Sequence, residues 1–242
     1  MNILAMDTSN QACSVAVISD LEIIGELTIN QRRNHSIQLM PCIDFILKKV
    51  DMTLDDIDAI AVAEGPGSYT GLRIAATTAK TLAWAKDLEL RPVSSLKALA
   101  SEATVIAPDL IVPIFDARRG NVYTGLYQYS AEGELKQVEA DTHIALDKWL
   151  SYLHANYTDS IQIVSSMDFS SEVRELIEKF EMKEVSASHR LPRAGHLGLL
   201  AEKVDSVPIH SFSPKYLKLA EAEANWYAEH PDSNQEVWVE RV

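Results

Sequence analysis

The sequence predicts an α/β protein whose opening plan of strands is repeated in its second half, as in a pair of duplicated lobes. Three observations carry that expectation. Short apolar runs alternate with segments of helical spacing, the pattern of layered α/β folds rather than of a sandwich or a bundle. The chain has 242 residues and is 47% hydrophobic, enough to fill one large core or two modest ones. A plan of strand, terminal aspartate, polar turn and strand occurs twice, and with an offset of 109 residues Asp116 falls on Asp7. Duplicated lobes leave a cleft between them, and clefts bind ligands.

The elements follow in order. NILAM and ACSVAVI, separated by the polar DTSNQ, read as two strands of a hairpin, and IIGELTI as a third strand. From Asn34 to Val50, Leu39, Ile43, Ile46 and Val50 recur at helical spacing, while Met40 and Leu47 widen the stripe. Pro41 lacks an N–H and either kinks this helix or lies in its first turn. Ile57 to Ala63 is a buried strand, GPGSYTGLR (65–73) is an elbow, and a second helix runs from Gly71 to Lys86. The plan then restarts with VPIFD, the turn ARRGN and VYTGLYQY, followed by helix KWLSYLHA, strand SIQIVSS and helices SSEVRELIEKF and AGHLGLLAEKV. The division expected is a first lobe over 1–104, a smaller second lobe over 105–225 and a tail over 226–242.

Composition excludes several function classes. With 22 basic against 35 acidic residues the net charge is −13, and such a field repels polyanions, so unaided binding of tRNA or DNA is disfavoured. Cys13 and Cys42 are too few for a disulfide framework and lack zinc-site spacing, which fits a reducing cytoplasm. The N-terminus MNILAMDTS lacks a basic leader with a long apolar run, and no stretch approaches membrane-spanning length, so a soluble cytoplasmic protein is expected.

The elbow raises the question of phosphate binding. A Walker A loop requires G-x-x-x-x-G-K-[ST], whereas here Gly71 is followed by Leu72 and Arg73. The dinucleotide fingerprint fails as well, because Thr70 stands where its third glycine belongs. Two readings remain. Gly65, Pro66, Gly67 and Gly71 turn the chain tightly, with Ser68 or Thr70 capping the helix, or the helix N-terminus accepts an anion.

Asp7, Thr8 and Ser9 end the first strand and are the candidate holders of magnesium and phosphate oxygens, with Asp116 as their counterpart. Equally, each aspartate can simply close an Asx-type turn. Arg118 and Arg119 can clamp an acidic group or be a solvated hairpin tip. No two of the seven histidines lie three to five residues apart, and neither a G-x-S-x-G nor a cysteine beside a basic residue occurs. The second helix is rich in small residues; one face packs on its own sheet, yet the smooth surface continues around it. Side by side, Leu39 and Ile43 of the first helix and Leu72, Ala75, Ala76, Ala79, Leu82 and Ala83 of the second are expected to form a protein-binding patch.

The segments ILAMDTS, NHSIQLMP, AVAEGPGSYTGLRIAATTAKTLA, PVSSLKALA, PIFDARRGNVY and SPKYLKLAEAE, in that order, resemble the TsaB (YeaZ) family of bacterial tRNA threonylcarbamoyladenosine biosynthesis proteins, related to Gcp-like TsaD. The resemblance runs from Met1 to about Ala224. It implies a two-lobed fold of the actin, sugar-kinase and Hsp70 type. It also implies a subunit that binds TsaD, the threonylcarbamoyl transferase, largely through the two helices, in an assembly with the ATPase TsaE. When free, such chains form homodimers, and tRNA is held only through the complex. The metal-binding histidine pair of TsaD falls here on Ser95 and Leu99, which cannot replace imidazole. The resemblance therefore implies no cofactor and no catalysis of its own, with ATP and metal belonging to the partners. The rival expectation is an actin-like ATPase or small-molecule kinase using Asp7, Thr8, Ser9 and Asp116; a peptidase lacks both ligands and nucleophile.

Overall fold

The computed structural model describes residues 1–31, 34–103 and 109–218. The expected lobe boundary at 104/105, the end of the SPKYLKLAEAE segment and the tail over 226–242 lie outside the described residues.

The first sheet begins with an antiparallel meander of β1 (Asn2–Asp7), β2 (Cys13–Ser19) and β3 (Glu22–Ile29). Helix α1 (His35–Lys49) leads to β4 (Ala59–Gly65), parallel to β1, and α2 (Tyr69–Lys86) leads to β5 (Glu89–Ser94), parallel to β4. The strand order is β3-β2-β1-β4-β5. After α3 (Ser95–Ala100) the second sheet repeats this connectivity. It comprises β6 (Leu110–Arg118), β7 (Asn121–Tyr129), β8 (Leu135–Ala145), α4 (Leu146–Asn156), β9 (Ile161–Ser165), α5 (Ser171–Lys179) and β10 (Lys183–Glu184). Its order, β10-β9-β6-β7-β8, is that of the first sheet with β6 in the place of β1 and β9 in the place of β4. The fold is thus the two-lobed mixed-sheet α/β architecture expected from the doubled plan.

The near-continuous apolar runs of β1, β2 and β4 follow from burial on both faces. On one face Leu4, Met6, Val15, Val17, Ile60 and Val62 pack under α1 and α2. On the other, Ile3 and Ile18 lie among Ala5, Ala16, Ala59, Ala61 and Ala63, a shallow surface that admits a close helix. That helix is α6 (Ala194–Ala201). It belongs to the second half by chain order yet lies against β1 and β2, with Arg193 pairing Glu26. A Cβ at Gly198 would stand 2.1 Å from Ile18 Cδ1, so any larger residue would have to displace the Ile18 side chain for the helix to lie this close.

Several elements resolve or extend the sequence expectation. Pro41 lies inside α1 rather than in its first turn. Strand β8 has no clean alternation because it is an edge strand half open to solvent. Strand β5 carries Pro92, which is tolerated because β5 too is an edge. Helix α3 is six residues long, too short to show a period, yet it joins the lobes: Leu96, Leu99 and Ala100 pack against Ile111, Phe115, Tyr127 and Val164 of the second sheet.

Candidate functional site

The elbow is built by contact with the β1–β2 turn. Ser68 N–H donates to Ser9 O at 2.6 Å, and Thr8 Oγ1 donates to Gly71 O at 2.7 Å. A Cβ on Gly67 would stand 2.3 Å from Ser9 O, and one on Gly71 1.9 Å from Thr8 O. The glycines therefore let two backbones touch. Gly65, at φ +113, occupies a region closed to most side chains, and the peptide to the buried Pro66 is cis. Ser68 caps α2 by accepting from Gly71 N–H at 3.3 Å. Arg73 is exposed, its guanidinium 4.5 Å from the centre of the Tyr69 ring, and Tyr69 in turn meets Tyr216 at 5.0 Å.

The two aspartates stand in equivalent turns. Asp7 Oδ1 accepts the N–H of Ser9 at 2.7 Å, and Asp116 Oδ1 accepts the N–H of Arg118 at 2.7 Å. The environments differ. Asp7 is 1% exposed, burial pushes its carboxyl above the usual carboxylate range, and its Oδ2 has no hydrogen-bond partner, nor does Ser9 Oγ. Asp116 is exposed and borders an inter-lobe cleft of about 1080 Å³, together with Ser9, Asn10, His35, Arg118, Ser166 and Lys218. Asp7 and Thr8 are not among the residues lining that cleft, so Asp7 and Asp116 do not present paired carboxylates to one space. Arg118 and Arg119, at φ +68 and +56, form the exposed tip of the β6–β7 hairpin. Among the described residues no group of three His, Cys, Asp or Glu side chains is placed to hold a metal ion.

The expected protein-binding patch is corrected by the fold. Leu39, Ile43, Ala75, Ala76, Ala79 and Ala83 are buried in the core between α1, α2 and the first sheet, Leu82 is half-buried against it, and Leu72 is fully buried beside Gly65. The stripe is real but faces inward, because the sheet needs a cover on this side. The outer face carries other apolar residues: Ile37 and Trp84 are each 67% exposed, Phe45 49% and Met40 46%. Their signal in the sequence was apolar positions outside the main stripe.

Two further clusters escaped the sequence reading. Glu64, the one charged residue of an otherwise apolar β4, receives Lys215 Nζ at 2.7 Å. Asp141 on β8 accepts from Ser94 Oγ, Tyr127 OH and Gln137 Nε2 at 2.6, 2.5 and 2.9 Å; burial raises its carboxyl, and raises the Tyr127 phenol too. No local motif announces a network whose members come from β5, β7 and β8. Ser95 and Leu99 are both fully buried; Ser95 Oγ accepts the N–H of Gly65 at 3.1 Å, and Leu99 packs between the lobes.

Doubled sheets, matched aspartate turns and a cleft between them define a two-lobed, mixed-sheet α/β protein. Residues 22–226 match the protein family described as TsaD, tRNA N6-adenosine threonylcarbamoyltransferase. The chain is 40% identical to the tRNA threonylcarbamoyladenosine biosynthesis protein TsaB of Bacillus subtilis (strain 168) over 226 residues, 93% of this chain and 98% of that protein. It is 39% identical to TsaB of Haemophilus influenzae (strain ATCC 51907 / DSM 11121 / KW20 / Rd) over 126 residues, 51% of this chain and 52% of that one. The solved structure of YeaZ from Pseudomonas aeruginosa superposes with a TM-score of 0.70 at 25% identity, covering 89% of this chain and 99% of YeaZ. The chain belongs to the TsaB (YeaZ) family. Among the described residues no helix is long and apolar enough to cross a membrane.

Proposed function

We propose that the chain serves tRNA threonylcarbamoyladenosine biosynthesis in the cytoplasm as a non-catalytic subunit that binds and activates TsaD. The observation that carries this reading is the outer face of α1 and α2, where Ile37, Met40, Phe45 and Trp84 stand in solvent over a core already complete beneath them. Large apolar side chains exposed on a pair of helices mark a protein-binding surface, with tryptophan the strongest single anchor. The same face serves a homodimer when the chain is free and TsaD when the complex forms. Catalytic inactivity rests on Ser95 and Leu99, the positions matched to the metal-binding histidines of TsaD: one accepts from the elbow and the other fills the lobe junction. Metal and ATP then belong to TsaD and TsaE, and tRNA is gripped by those partners, consistent with a net charge of −13.

The test is reconstituted modification of tRNA by TsaD and TsaE with and without this chain, alongside its affinity for TsaD. Trp84→Ala should weaken TsaD binding by about 2 kcal/mol, roughly 30-fold, without lowering the melting temperature of the free chain. Full modification in the absence of the chain, or unchanged affinity of both Trp84→Ala and Ile37→Asp, would overturn the proposal.

A further inference from the structure

Among the described residues, side-chain hydrogen bonds join the lobes in two separate places. Asn10, in the β1–β2 turn, donates Nδ2–H to Ser166 Oγ at 2.6 Å, and both residues line the 1080 Å³ cleft. Ser94, at the end of β5, donates Oγ–H to Asp141 Oδ2 at 2.6 Å in a second cleft of about 770 Å³ that shares no lining residue with the first. Asp141 is itself held: Tyr127 OH and Gln137 Nε2 both donate to its other oxygen. Beyond these, Lys218 Nζ donates to Ala117 O at 3.3 Å, tying the segment after α6 to the second lobe.

Two-lobed proteins ordinarily close on ligands by hinge rotation. Here a rotation that preserves one of the two inter-lobe bonds stretches the other, unless its axis passes through both. That remaining motion is opposed by α3, whose Ala98 packs on the first sheet while Leu96, Leu99 and Ala100 pack on the second. We infer that the Asn10–Ser166 and Ser94–Asp141 bonds, with α3 between the sheets, clamp the lobes at a single separation, so that the cleft does not open and close. The chain is then a rigid body, unlike a hinged enzyme of similar shape. This stands independently of the partner proposed above, since the clamp lies at the lobe junction and not on the outer face of α1 and α2.

The clamp is tested by the distance between spin labels on Glu22→Cys and Lys148→Cys, exposed positions on opposite lobes, in the full chain; Cys13 and Cys42 are buried and escape labelling. Pulsed electron paramagnetic resonance should give one narrow distance, identical with and without magnesium ATP. Removing both bonds with Asn10→Ala and Ser94→Ala should widen or split that distribution by about twofold. Ser166→Ala, which removes the first bond from the other side, should widen it less. Two distances in the unaltered chain, a shift on adding magnesium ATP, or an unchanged width in both the double variant and Ser166→Ala would each overturn the inference.

Discussion

Replacing Gly71 by alanine should destabilise the protein even though alanine is the better helix former. Gly71 lies in the first turn of α2, where the exchange alone would gain about 1 kcal/mol. Against this, the new Cβ would meet Thr8 O at 1.9 Å, and the obstacle is backbone that no rotamer change removes. Reaching an ordinary contact of 3.4 Å requires α2 and the β1–β2 turn to part by about 1.5 Å. Overpacking of this kind costs about 1–3 kcal/mol, and the separation also breaks the buried Thr8 Oγ1 bond to Gly71 O, about 1 kcal/mol more. The net loss is about 2 kcal/mol, read as a lower urea midpoint at unchanged slope in tryptophan fluorescence. Gly133→Ala is the control. Nothing lies within 4 Å of its Cβ position, and only its φ of +76 opposes the change, at about 1 kcal/mol. A loss at Gly71 below about 0.5 kcal/mol, or smaller than that at Gly133, would refute the close-contact account of the elbow.

Two further outcomes follow from burial. Ala79→Arg should prevent folding rather than merely block a partner, because a fully buried position would receive an unpaired charge, whereas Thr77→Arg on the exposed side of the same helix should leave circular dichroism and melting temperature unchanged. Asp7 should make stability depend on pH in the direction opposite to a salt-bridged carboxylate. Its folded-state pKa is raised above 3.8 by burial, so its contribution is fully present below pH 3.8 and lost as pH rises through the folded value. The melting temperature of Asp7→Asn relative to the unaltered chain should therefore climb as pH rises from 3.8, and a constant difference would contradict the burial argument.

The fold was legible in the sequence because strands buried on both faces must be almost wholly apolar, and because aspartate at a strand end followed by a polar turn is a local pattern. LAMD and IFD with their turns thus disclosed two lobes, and the glycine spacing of GPGSYTGLR ruled out both standard phosphate loops. The short α3, the edge strands β5 and β8 and the docking of α6 on the first sheet were not legible. Edge strands lose clean alternation, and a six-residue helix has no readable period.

For the candidate site the division is sharper. By itself the sequence determined that two apolar helices and two aspartate turns exist, since each depends on residues close together in the chain. Only the tertiary structure decided which way they face. Helical period sets the angle between Leu39 and Ile37 but not which of them the sheet will cover, and the sheet covers Leu39. Likewise Asp7 and Asp116 share a turn geometry, yet the elbow packs over one turn and leaves the other exposed. The bonds from Asn10 to Ser166 and from Ser94 to Asp141 link residues far apart in the chain, and they form because two packed sheets and one short helix bring these residues within hydrogen-bond reach.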